Sequence, residues 1–165
     1  MSAADRDRVR EALLQHTAAA AREARCLREC ASPDAAFVKE HLRAYILHKY
    51  MLPEDVCRSD DIRELTEAGL AHMMKVTPEL AAVLDTARSC AGATSATVKK
   101  ALLFQAMERE LGVTLPADKA VAARDVGTLA VLVAGLLAAG TNRIIRKRRP
   151  PLPGGSGGRS DRRRI

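Results

Sequence analysis

The chain has 165 residues, enough for one domain with a real hydrophobic core plus tails. Apolar residues make up 47% of it, yet there are only two Phe, two Tyr and no Trp. The core is therefore aliphatic, and nucleic-acid recognition by base stacking is not supported. The formal net charge of +7 belongs to the tail: residues 143–165 carry nine Lys/Arg against one Asp, and the preceding 142 residues hold 18 basic and 19 acidic groups.

In residues 1–31, Val9, Leu13, Ala20, Ala24 and Leu27 mark one face of an amphipathic helix. The stripe is thin and rich in alanine, which predicts a loosely docked N-terminal helix. The charged start has no apolar secretory segment, so a cytoplasmic protein with reduced thiols is expected. Cys26 and Cys30 share a helix face, but no second ligand pair has zinc-site spacing. These thiols are read as small packed hydrophobes, and no metal site is expected.

Ser32-Pro33-Asp34 opens the next helix, read as a serine N-cap, a proline at the first helical position and an acid near the positive dipole end. It runs through Phe37, Leu42, Tyr45, Ile46 and Met51 and ends near Leu52-Pro53-Glu54-Asp55-Val56. Residues 57–96 then read as a helical hairpin. Ser59 and Asp60 can cap a helix carrying Ile62, Leu65, Leu70 and Met73, and Thr77-Pro78-Glu79 caps one carrying Leu80, Val83, Leu84 and Ala87. Met73 and Met74 are expected to fill core.

The chain is organised around residues 96–137. Val98, Ala101, Phe104, Met107 and Leu111 recur at helical spacing, and Gly112 stands where a left-handed C-cap stops the helix. Pro116 and a short connector follow, and Asp125-Val126-Gly127-Thr128-Leu129 opens a last apolar helix. Phe104, Met107, Leu111, Leu129 and Leu132 are predicted to share a core. Residues 126–142 carry no charge, but the run reaches membrane-spanning length only by including Gly140, Thr141 and Asn142, so a packed helix is expected. Residues 143–165, with Pro-Pro-Leu-Pro and Gly-Gly-Ser-Gly-Gly, read as a flexible basic arm. Its charge suits an acidic partner or an anionic membrane surface; specific nucleic-acid binding is not expected.

At Thr97-Val-Lys-Lys-Ala-Leu-Leu-Phe-Gln-Ala-Met-Glu-Arg-Glu-Leu-Gly112-Val-Thr-Leu-Pro116, with Val126-Gly-Thr-Leu129 after it, the sequence resembles acyl and peptidyl carrier proteins from their second helix to their fourth. The Pro53-Glu54-Asp55-Val56 turn resembles the end of that family's first helix. The likeness covers residues 34–56 and 92–139, and the forty residues 57–96 replace a single loop. It implies an all-α carrier-like bundle within residues 32–142, enlarged by the N-terminal helix and the hairpin. It also implies a serine at the start of the second helix, esterified with 4'-phosphopantetheine, whose thiol holds an acyl or aminoacyl group for partner enzymes of acyl or peptidyl biosynthesis.

Counting back from Gly112 and Pro116 places that position at Thr97, whereas Gly92-Ala93-Thr94-Ser95 resembles the family's Gly-x-acid-Ser. Two candidates stand: Thr97, with the right register and a hindered hydroxyl, and Ser95, a primary hydroxyl two residues earlier. Without a prosthetic group, Thr94 or Ser95 is simply an N-cap, and the chain is a protein-binding module or a membrane-surface adaptor. Lys99 and Lys100 read as a solvated face. No Gly-x-Ser-x-Gly, Walker loop or paired helical His appears, so no catalysis by this chain alone is expected.

Overall fold

The computed structural model describes residues 3–77, 79–81, 83 and 94–148, with side chains between residues 4 and 140. The described residues form an all-α protein. Its helices are α1 (Ala3–Glu29), α2 (Ala35–Tyr50), α3 (Ile62–Met74), α4 (Ser95–Leu111), α5 (Ala117–Ala122) and α6 (Val126–Arg148). Residues 79–81 and 83 are also helical. Leu84, Ala87, Cys90, Gly92 and the arm beyond residue 148 lie outside the described residues.

The centre of the bundle is α2. It packs against α1, α3 and α6, while α4 packs against α1 and α3. Val38, Leu42, Tyr45, Ile46, Leu47 and Tyr50 of α2 are all buried, so this helix is wet along only a narrow strip. It begins two residues later than the sequence predicts. Asp34, not Ser32, is the N-cap, and its carboxylate accepts the Phe37 N–H at 2.7 Å. The carboxylate also places negative charge at the helix dipole's positive end, which a serine does not. The helix stops at Met51, whose φ of 56° lies in the left-handed region.

Only the second half of α1 is docked. Ala19, Ala20, Ala24 and Leu27 are buried, whereas Val9, Leu13 and Leu14 are exposed. Small side chains let α1 approach α2 closely over this half. Cys26, expected to pack, is exposed, and Cys30 is half-buried.

The first turns of α3 and α6 are stitched together. Ile62 N–H donates to Arg124 O and Val126 N–H to Asp60 O, both at 2.9 Å, an isolated antiparallel bridge between Asp61 and Asp125. Both bridge residues are helix caps. Asp61 accepts from the N–H groups of Arg63 and Glu64, and Asp125 from Thr128 N–H at 2.7 Å. The predicted caps are therefore corrected. The Ser59 hydroxyl accepts the Asp61 N–H, and Asp60 turns back to α2, 2.6 Å from Lys39 and 3.0 Å from Arg43. Arg43 also donates to Cys57 O at 2.8 Å, tying the connector to the same anchor.

Further corrections follow from burial. Met73 and Met74 are exposed, as are Leu80 and Val83, while Thr66 and Gly69 lie on the buried face of α3. In α4 the buried stripe is Leu103, Met107 and Leu111; Val98 is 49% exposed, Ala101 is exposed and Phe104 is half-buried. The apolar face is thus rotated from the predicted one. Gly112 ends α4 as expected, with φ of 67° and its N–H on Glu108 O. Leu129 joins Met107 and Leu111 in the core, and Leu132 packs on its margin. The buried face of α6 (Val126, Leu129, Ala130, Val133, Leu137) is spent on the bundle. Among the described residues no helix is long and apolar enough to cross a membrane.

Two outcomes test this arrangement by urea denaturation. Met107→Ala, which empties a fully buried site, should cost about 2–5 kcal/mol, and Val98→Ala should change stability by less than about 0.5 kcal/mol. Equal effects would mean that the face of α4 is misassigned.

The second outcome concerns Asp60. The hydrogen bond from Lys39 holds its carboxyl below the usual range, against the opposing effect of burial and with help from Arg43. A group depressed on folding stabilises above the unfolded carboxyl value of about 3.9, and that contribution disappears as pH falls through the folded value. Asp60→Asn should therefore cost about 1 kcal/mol at pH 7 and almost nothing at about pH 2. A cost independent of pH would exclude the ion pairs as its source.

Candidate functional site

The site is built at the start of α4. Thr94 is its N-cap, with extended backbone (φ −83°, ψ 157°) and a hydroxyl that accepts the Thr97 N–H at 3.1 Å. Ser95 is the first helical residue and is exposed. Thr97, two residues on, points elsewhere, because two residues turn a helix by about 200°. Its hydroxyl lies 3.0 Å from that of Thr94. The two sequence candidates therefore sit on one turn in different surroundings.

Thr97 borders a cavity of about 610 Å³ between α3 and α4, and Ser95 does not. Leu70, Ala81, Ala101, Phe104 and Val121 form its apolar walls, and Arg63, Glu67, Thr94 and Lys100 its polar edge. Arg63 donates to Glu67 at 2.8 Å, which holds two cavity charges as a pair. Lys100 donates to Ala123 O at 3.4 Å and lies 5.5 Å from the Phe104 ring centroid.

Behind the cavity, Tyr50 donates to Thr66 at 3.0 Å, and Thr66 donates to Ile62 O at 2.7 Å. Burial pushes the Tyr50 phenol up to about 12. Lys99 Nζ stands 5.0 Å from the Tyr50 ring centroid, is buried, and has no hydrogen-bond partner among the described residues. Burial lowers its pKa, since nothing replaces the water its ammonium gives up. The contact with Tyr50 is the cation–π kind, worth less than a carboxylate partner. Gly69 makes room for it. A Cβ there would come within 2.9 Å of Tyr50 Cβ and 3.3 Å of Lys99 Nζ.

Sequence reasoning placed Lys99 on a solvated face, and the structure corrects this. The signal was present: Lys99, Leu103, Met107 and Leu111 are spaced by four, one continuous stripe. The wall supplied by α3 had no such signal, because nothing in residues 57–96 states which helix they cover. The described thiols of Cys26, Cys30 and Cys57 are free, and no group of three or more His, Cys, Asp or Glu among the described residues is arranged to hold a metal ion.

No protein-family model, curated protein or solved structure matches this chain.

Lys99 yields a prediction with a defined sign. Its folded pKa is below the unfolded value of about 10.4, so the unfolded chain binds more protons between the two values and wild-type stability rises with pH there. Lys99→Met should stabilise by on the order of 1 kcal/mol at pH 7, and the gain should shrink toward pH 10. A loss of stability at pH 7 would mean that Lys99 has a charged partner.

Proposed function

We propose that this protein is acyl-carrier-like, holding an acyl or aminoacyl group as a thioester on 4'-phosphopantetheine attached to Ser95. The observation that carries the reading is the start of α4. Each of the other helices α1, α2, α3, α5 and α6 has a carboxylate at its cap or in its first turn: Asp5 in α1, Asp34 in α2, Asp61 and Glu64 in α3, Asp118 in α5 and Asp125 in α6. The cap of α4 is the uncharged Thr94, and its first turn has no acid. The positive end of this dipole is left for an anion such as a phosphodiester, and an exposed primary hydroxyl stands on it. The order of helices lends support: α4 closed by Gly112, the short α5, then α6, as the resemblance implies.

Both candidates are exposed, and chemistry favours Ser95. A transferase has to reach the oxygen from outside, and the β-branched side chain of Thr97 hinders that approach where a primary hydroxyl does not. The chain itself would supply only the nucleophile and its setting; partner enzymes of acyl or peptidyl biosynthesis would load and unload the thiol. A second reading, an unmodified carrier-type bundle that binds a partner protein, is favoured by the exposure of Val98 and Leu102 on α4. The membrane-surface reading loses support because the apolar face of α6 is already buried.

Intact mass after incubation with coenzyme A and a broad-specificity phosphopantetheinyl transferase decides between the first two. Wild type and Thr97→Val should gain the prosthetic group, and Ser95→Ala should not. If neither wild type nor Thr97→Ser gains mass, the carrier reading fails and the binding module stands.

A further inference from the structure

Away from the start of α4, α1 and α2 run antiparallel and face each other through two rungs. His16 meets His48, and Glu23 meets His41 at 2.7 Å, each pair of positions being seven residues apart on its helix. In the first rung the two Nδ1 atoms are 3.4 Å apart, with ring centroids 5.5 Å apart and rings tilted by 58°. That is long for an N–H donor and an acceptor, which settle at about 2.7–3.2 Å. It is, however, the separation of two nitrogens that each lie about 2.1 Å from one tetrahedral ion.

We propose that His16 and His48 form a two-histidine clamp for a divalent transition metal, of the class that imidazole favours (zinc, copper or nickel), joining α1 to α2. Three further observations fit this assignment. Both histidines are half-buried, so packing restricts each ring while part of each stays at the surface. Glu23 is already occupied by His41, which leaves the upper rung with two protein ligands and makes the ion exchangeable instead of permanent. Finally, the rung lies where the docking of α1 thins. Ala19 and Ala20 below it are buried, while Leu13 and Leu14 above it are exposed. An ion here would extend the fixed length of α1 toward its N-terminus.

The proposal does not depend on the carrier reading. Its test is zinc binding to the full-length protein, freed of metal beforehand and kept reduced, measured by competition with a chromophoric chelator. Wild type should bind one zinc equivalent that is weakened at least about tenfold in His16→Gln and in His48→Gln, the scale already reached by losing a group outside a ligand shell. His41→Gln should retain it. Amide exchange should slow in residues 9–16 when zinc is added to wild type, and circular dichroism of each variant establishes that the helices are intact. Absence of this equivalent in wild type overturns the clamp. So does binding that survives either His16→Gln or His48→Gln, or binding that leaves exchange in α1 unchanged.

Discussion

The rest of the bundle depends on the bridge between Asp61 and Asp125. Two backbone hydrogen bonds join the first turns of α3 and α6, so two positive dipole ends are brought side by side. Left alone they would repel. Each is instead capped by its own aspartate, and Asp60 next to them carries a further negative charge to Lys39 and Arg43 of α2. One short acidic stretch thus fixes three helices. Because α6 lies along α2 and α3 starts from the same point, the direction of α3 is set before its side chains pack.

That direction decides what α4 meets. The buried face of α3 presents Thr66 and Gly69 to Tyr50 and Lys99, and Leu70 faces the cavity. A leucine or alanine in place of Gly69 would collide with Tyr50, and α3 would have to move off α4. The cavity and the buried lysine are therefore two results of one packing choice. The small residue brings the helices together at one end, and the apolar walls of Ala81, Ala101 and Phe104 leave space beside it.

Much of this was legible in the sequence, and what was missed has a common cause. The helical class, the stop at Gly112, the short connector after Pro116 and the packing of α6 all rest on local signals, and they agree with the structure. So does the Thr94 cap, one of two residues to which that duty was assigned. The errors at Ser32, Ser59 and Asp60 are shifts within polar clusters, where several side chains can cap and tertiary ion pairs choose among them. The rotation of α4 is of the other kind. Val98, Ala101 and Phe104 look like a core stripe only if Lys99 is assumed to be wet, and a lysine stem can line a buried path. Met73, Met74 and the outer half of α1 are apolar yet exposed, so apolar spacing alone did not show which faces have partners.

The charges around α4 form one pattern when taken together. Its start has no carboxylate, and Lys99 stands one turn below Ser95 on the same side of the helix, buried against an aromatic ring in place of an acid. Long helical side chains lean toward the N-terminus, so the positive end of the dipole and the lysine stem converge on one region. Among the described residues, the remaining pairs here are internal: Arg63 is met by Glu67, and Lys49 farther along by Glu110 at 2.6 Å. Among the described residues Lys99 thus adds a buried positive charge without a carboxylate partner to the first turns of α4. Folding alone gains nothing from this, since an aspartate in place of Thr94 would strengthen the cap and relieve Lys99 together. An anion bound covalently at Ser95 would do both without altering the sequence, and that is the setting the proposed phosphodiester requires.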